Sequence, residues 1–229
     1  MRIPRTDRAL AAACAMLALL CAGCASGPDA GAPADAAAFL LPGTFSEQTT
    51  LTDLQARFGP ANVRVVEPGG DGERTVVLFE ADPSRRAFVE FHDDKALTGV
   101  RSISVRDAGS RWRGKRGVHV GMAFAALHAA NGKPFVYSGF DGQGRGWAHD
   151  QWSPALDDDD ASLGRLDVDE GEQMYFNVEL VLRDRGAGIP ADAYPHDDNL
   201  LSDDPRYPRL GELVEVGGFS ASTSLDDEW

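Results

Sequence analysis

Apolar residues recur at helical spacing in two short stretches of the chain. Three of them share one face of a first predicted helix: Leu51, Leu54 and Phe58. Thr49 or Thr50 can cap the start of this helix. Its end is indicated by Gly59, which suits a left-handed residue, and by Pro60, which cannot continue a helix.

A second helix is predicted within residues 118–134. Phe124 and Leu127 lie on one side of it. Gly132 ends it, and Pro134 follows after one intervening residue, Lys133. Leu54 aligns with Leu127 when the two helices are superposed at their glycines.

Alternating apolar and polar residues follow each helix. Strand-like runs follow the first helix at 62–67, 75–80, 86–92 and 100–106, and the second at 135–140, 145–152, 163–168 and 173–183. Turn-forming residues separate the runs, which predicts an antiparallel meander in each case. The fold class is therefore α+β, an antiparallel sheet with two short helices.

This order of elements divides the chain into a first unit at 46–110 and a second at 111–188. The two units form either a tandem repeat or two unrelated helices that end alike, since Gly then Pro is a common helix stop. Residues 189–229 contain proline and scattered aspartate, and predict an acidic, extended tail.

Composition narrows the function classes. The 229 residues are 43% hydrophobic and 25% charged, as in an average globular chain. The net charge of −14 argues against a general nucleic-acid binder, which needs excess Lys and Arg. Charge is uneven: residues 1–149 hold 17 basic and 15 acidic residues, whereas residues 150–229 hold 5 and 21.

The N-terminus has the pattern of a signal peptide. A basic start precedes an uncharged run at 9–20, rich in Ala and Leu. Twelve residues would span about 18 Å as a helix, short of the roughly 30 Å bilayer core.

The run ends in Leu20-Cys21-Ala22-Gly23-Cys24, which resembles the lipobox of bacterial lipoproteins, although Cys21 stands where Leu is usual. The resemblance implies a signal peptide at 1–23 and a lipid on Cys24, so that the membrane is a partner through this anchor. An ordinary secretory signal or an uncleaved anchor is the alternative. Residues 24–45 then form the lipidated Cys and a flexible tether. No Asp follows Cys24, which in such lipoproteins favours the outer membrane, facing the periplasm.

The helix–Gly–Pro–strand unit itself resembles two families. Periplasmic lipoproteins of the outer-membrane assembly small-subunit type and the β-lactamase inhibitor proteins use such a unit, sometimes twice, and 51–60 and 121–134 are similar to it. The second stretch is also similar to uncharacterised envelope proteins. Lys133 lengthens the second stop, and the paired cysteines of the inhibitors are absent. The resemblance implies a fold and a binding role, and carries over no functional residue.

The sequence singles out no catalytic, metal or cofactor site. The acidic runs 157–160 and 167–172 indicate a solvated loop or a weak Ca²⁺ site, but they lack EF-hand spacing. The histidines lack zinc-site spacing, and no serine lies in a Gly-x-Ser-x-Gly elbow.

Two stretches are candidates for partner binding. The first is a dense basic segment, in which arginines flank a tryptophan: Arg111, Trp112, Arg113, Lys115 and Arg116. Such a segment suits an anionic lipid, a glycan phosphate or an acidic protein surface. It could equally be solvated, or paired with the acidic half of this chain. The second is the Gly-rich loop at 139–147, a hairpin or an exposed aromatic loop with Phe140, Trp147 and the nearby Trp152 as contact anchors.

These observations favour an envelope lipoprotein that acts as a binding or scaffold module in the periplasm, with an envelope protein, an anionic glycan or a lipid as partner. A glycan-acting enzyme of the cell envelope and an inhibitor of a secreted hydrolase are the alternatives.

Overall fold

Alternating burial along the strands builds one antiparallel sheet, with helices beside it. The structure is a computed structural model that describes residues 38–69, 72–149, 152–154, 164–168, 173–196 and 199–223. Its strands are β1 Val63–Val66, β2 Thr75–Leu78, β3 Ala87–Asp93, β4 Thr98–Val105, β5 Val136–Tyr137, β6 Arg145–Ala148, β7 Tyr175–Leu182, β8 Leu200–Leu201 and β9 Val214–Ser222. Its helices are α1 Leu51–Phe58, α2 Phe124–Asn131 and α3 Leu210–Leu213. The predicted α+β class is confirmed.

Local chemistry explains where α1 and α2 begin and end. The Thr50 hydroxyl accepts a hydrogen bond from the Asp53 N–H, and the Asp53 carboxylate accepts one from the Thr50 N–H, which forms a capping box. Gly59 and Gly132 end the two helices with φ of 82° and 80°, a conformation that glycine adopts without steric cost.

The sheet has two halves that share a helix followed by four strands, and the second half also contains β8 and α3 between β7 and β9. Its strand order is β1-β2-β3-β4-β9-β7-β6-β5-β8. Each half starts with a helix and continues through four consecutive sheet neighbours, β1 to β4 in one and β5, β6, β7 and β9 in the other. The fourth strands meet at the centre, where Ser102–Val105 pair antiparallel with Phe219–Ser222.

The expected extended tail does not occur in residues 199–223. They supply β8, α3 and β9, and β9 lies between β4 and β7 in the middle of the sheet. Val216 and Ala221 on this strand are fully buried. The sequence did not predict this strand, because the segment is acidic and because glycine and serine interrupt the alternation of apolar residues after Val216. The second half therefore continues beyond residue 188.

One further strand prediction is wrong, and three other predictions concern residues that the structure does not describe. Residues 164–168 form a turn rather than a strand, held where the Asn131 carbonyl accepts the Arg165 N–H at 3.0 Å. Cys24, the signal segment and the acidic run 157–160 lie outside the described residues.

The end of the predicted flexible tether is instead part of the core. Three apolar residues of this segment, residues 38–45 and here called the strap, are at most 5% exposed: Phe39, Leu41 and Phe45. The strap runs beside the basic segment, with the Leu41 N–H donating to the Arg113 carbonyl and the Arg113 N–H donating to the Phe39 carbonyl.

The central position of β9 predicts a large effect of replacing Phe219 with alanine. Phe219 is 3% exposed, and its ring centroid lies 5.9 Å from that of Phe176. We expect the free energy of unfolding, measured by chemical denaturation, to fall by about 3–5 kcal/mol. The exposed Glu212 on α3 is the control, and Glu212→Ala should change it by less than about 0.5 kcal/mol. Equal, small effects would contradict a central β9.

Candidate functional site

Trp112 does not belong to an exposed contact surface, so this part of the prediction is wrong. Its side chain is fully buried. Its ring meets that of Phe39 edge-on at 5.1 Å, and its Nε1 donates to the Arg85 carbonyl at 2.7 Å. A large aromatic side chain with a satisfied N–H gains more from the core than from water. The strap packs against the Trp112 ring.

The basic residues around Trp112 mostly serve local structure. The Arg111 guanidinium lies 5.0 Å from the centroid of the Phe39 ring, and Arg113 Nη1 donates to the Ser110 and Trp112 carbonyls at 2.7 Å. Lys115 Nζ donates to the Asp167 carbonyl. Arg116 is exposed and has a φ of 54°. The segment thus binds the strap and a neighbouring loop of its own chain.

The Gly-rich loop separates its two predicted anchors. Phe140 is only 3% exposed and packs against Tyr137 and Tyr194, with centroids 6.1 and 6.0 Å away, so it is not a surface anchor. Nor is Trp152, which is fully buried and donates from Nε1 to the Phe176 carbonyl at 2.9 Å. Trp147 on β6 is half-buried. It lies on the side of the sheet opposite the core, and remains a candidate contact residue.

The turn that precedes β6 positions a cation beside Trp147. Burial acts to raise the pKa of Asp141, but the Arg145 and Gln143 N–H groups and the Arg145 side chain donate to its carboxylate and hold that pKa below its ordinary value. Asp141 also pairs with the Arg145 guanidinium at 3.2 Å. The guanidinium carbon then lies 5.8 Å from the Trp147 ring centroid, where a cation is attracted to the π-face.

Trp147 belongs to a half-exposed sheet surface, here called the open face. It comprises the side chains of β3, β4, β9, β7 and β6 that alternate with the core residues: Phe88, Glu90, Ser102, Ser104, Ser220, Ser222, Tyr175, Asn177, Glu179 and Trp147. The strand register places Phe88, Ser104, Ser220 and Asn177 in one row across four strands. Nearly all these side chains are polar or amphipathic, as is typical of a solvated sheet face.

A cleft lies in the middle of the open face. It is lined by Ser104, Arg106, Trp147, Asn177, Glu179, Gly218 and Ser220, and has a volume of about 10 Å³, room for about one water molecule. That is less than the roughly 300 Å³ at the lower end of small-molecule pockets. A wider groove continues from Arg106 and Glu179 towards Arg145 and Glu215. This groove has a volume of about 670 Å³, which lies within the size range of small-molecule sites.

The cleft contains a buried hydroxyl without a partner. Ser220 is 1% exposed, and its Oγ makes no hydrogen bond within the part of the chain that the structure describes. Leaving such a group unsatisfied costs about 1–3 kcal/mol. A hydrogen-bonding group that enters the cleft would recover this cost.

Two opposite charges at the cleft are also unpaired. Among the described residues, neither Arg106 nor Glu179 forms an ion pair, whereas two arginines nearby do: Arg145 with Asp141 and Arg183 with Glu215. A β-carbon added at Gly218 would lie 3.2 Å from Glu179 Oε2 and 3.4 Å from Arg106 Cγ. The two side chains therefore flank this glycine.

Sequence reasoning missed Arg106 and Glu179. Each ends or continues an alternating strand, so the sequence marks both as solvent-facing, but nothing local indicates that they meet. Their proximity depends on β9, the strand that was taken for a tail.

No group of three or more His, Cys, Asp or Glu side chains that could hold a metal occurs within residues 38–223 as far as they are described. In the same residues, every helix is too short or too polar to cross a membrane. Comparison of the chain with protein-family models, curated proteins and solved structures gave no match.

The position of Trp112 predicts that it acts on stability. We expect Trp112→Ala to lower the free energy of unfolding by about 3–5 kcal/mol. The substitution removes the ring against which the strap packs and leaves the Arg85 carbonyl without its hydrogen-bond donor. Arg116→Ala, at an exposed position of the same segment, should change it by less than about 0.5 kcal/mol. Thermal or urea unfolding measures both. A Trp112→Ala protein of unchanged stability would contradict the core position of the Trp112 ring.

Proposed function

We propose that the chain is an envelope lipoprotein that acts as a binding and scaffold module in the periplasm, with the open face as its contact surface. The observation that carries this proposal is the group of unpaired polar side chains at the cleft, formed by Ser220, Arg106 and Glu179. The Arg106 guanidinium lies 6.0 Å from the Phe88 ring centroid but has no ion-pair partner among the described residues. A partner that pairs with these groups would gain both affinity and register.

Trp147 supplies the apolar part of the proposed contact. It is half-buried, and its ring edges the cleft beside Glu179, which is its partner in the strand register. Tryptophan and arginine are over-represented among the residues that dominate binding energy. The hydrogen-bonding groups around it would then set the orientation of the partner.

The lipid anchor in this proposal is Cys24. Ala25 to Ala38 are fourteen residues, so a tether between the lipid and the strap would reach at most about 50 Å. The docked strap would end this freedom at Phe39, because its ring packs against Trp112. The domain would therefore stay close to the membrane surface, in reach of envelope proteins.

Photo-crosslinking in cells tests the open face as a contact surface. A benzophenone side chain placed at Ser102 or at Trp147 in the full chain should give a discrete covalent adduct, because both positions lie on the open face. The matched controls are the exposed Ala56 on α1 and Glu212 on α3, outside the open face, and these should give none. Glu179→Ala should weaken the adduct formed at Ser102.

The mass of the adduct identifies the class of partner. An adduct with a secreted hydrolase whose activity this chain titrates at 1:1 would favour the inhibitor alternative. Adducts at Ala56 and Glu212 as strong as those on the open face would contradict the proposed surface.

The anchor has a separate test. Cys24→Ser should abolish labelling by a palmitate analogue and should shift the chain out of the membrane fraction. Cys21→Ser, three residues earlier, should leave both unchanged. Unchanged labelling of the Cys24→Ser chain would contradict the lipid anchor and leave the contact surface untouched.

A further inference from the structure

We infer that the partner seated on the cleft is a second copy of this chain, packed open face to open face about a two-fold axis that passes over Gly218. This inference rests on the proposed function, in which the open face is a contact surface, and it names the occupant of that surface. Arg106 of each copy would pair with Glu179 of the other.

The charge pattern of the cleft is self-complementary. A two-fold interface brings one patch against itself, so each group must find its counterpart within the same patch. Arg106 and Glu179 are one cation and one carboxylate, both without an ion-pair partner in the described residues, on either side of Gly218. A two-fold axis that runs midway between Arg106 and Glu179, in the plane between two facing sheets, places Arg106 of each copy opposite Glu179 of the other copy.

The residue under this axis has no side chain. Whatever stands on a two-fold axis meets its own copy, and at that point Gly218 adds no side chain between the Glu179 carboxylate and the Arg106 stem. Trp147 at the rim can then cover the charge pairs from water, which strengthens them. Ser220 can pair its buried Oγ with a group of the opposite copy.

The flat area of the open face is about three quarters of what a standard interface buries per partner. Its five strands, about 4.8 Å apart, with four to nine residues at about 3.3 Å each, cover roughly 600 Å² before side-chain relief is counted. A standard interface buries roughly 800 Å² per partner. Packed sheets with aligned strands are a common arrangement.

The net charge of −14 does not prevent this association. At physiological ionic strength, charges farther apart than about 8 Å are largely screened. Next to the cleft, Arg145 pairs with Asp141 and Arg183 pairs with Glu215, so that these charges are balanced. The contacts at the cleft therefore decide the encounter.

Sedimentation of the full chain in density-matched detergent, with reductant and 150 mM salt, tests the inference. The wild-type chain should sediment as a dimer. Arg106→Glu and Glu179→Arg should each raise the dimer dissociation constant by at least about 10-fold, because each creates two like-charge pairs. The double variant Arg106→Glu with Glu179→Arg restores both pairs and should return within about 3-fold of wild type.

Arg116→Glu is the control, since it makes the same charge change at an exposed position outside the open face. Circular dichroism of each variant separates loss of association from loss of folding. A wild-type chain that stays monomeric at 100 µM protein, or a dimer that the single variants do not weaken, would overturn the inference. So would a double variant no tighter than the single ones. A monomer that still forms adducts with another protein from Ser102 would overturn only the second copy, and the proposed function would stand.

Discussion

The pairing of β4 with β9 is the contact on which the rest of the structure depends. Each half of the chain builds a short antiparallel meander, and a meander alone leaves the N–H and C=O groups of its last strand unpaired. The ladder between Ser102–Val105 and Phe219–Ser222 satisfies both edges at once and produces one continuous sheet. It also brings Ser104 beside Ser220, and so creates the cleft.

Aromatic packing attaches the start of the domain to this sheet. The strap presents Phe39 and Phe45 to Trp112, and α1 adds Phe58 at 6.2 Å from the Trp112 ring. The Arg57 guanidinium lies 4.6 Å from the Phe45 ring and donates to Thr44 and to the Ala38 carbonyl. Burial lowers the pKa of Arg57. The strap is thereby held by arginines that stack on rings.

The two faces of the sheet have different roles. The covered face carries the apolar core, with Phe176, Val178 and Leu180 of β7 at most 1% exposed. The open face carries side chains whose hydrogen-bonding and charged groups are only partly used within the chain. Asn177 donates to the Ser222 hydroxyl at 2.9 Å, whereas Ser220 beside it lacks a partner in the described residues.

The sequence by itself determined the features that depend on neighbouring residues. The spacing of Leu51, Leu54 and Phe58 and the stop at Gly59 predicted α1, and alternation predicted the strands from β1 to β4 and β7, because local periodicity reports which face is buried. Tertiary structure decided what depends on distant parts of the chain. Trp112 became a core residue because the strap covers it, and residues 214–222 became a central strand because β4 and β7 needed a neighbour. Arg106 and Glu179 form one site because the register of three strands places them on either side of Gly218, which no local pattern encodes.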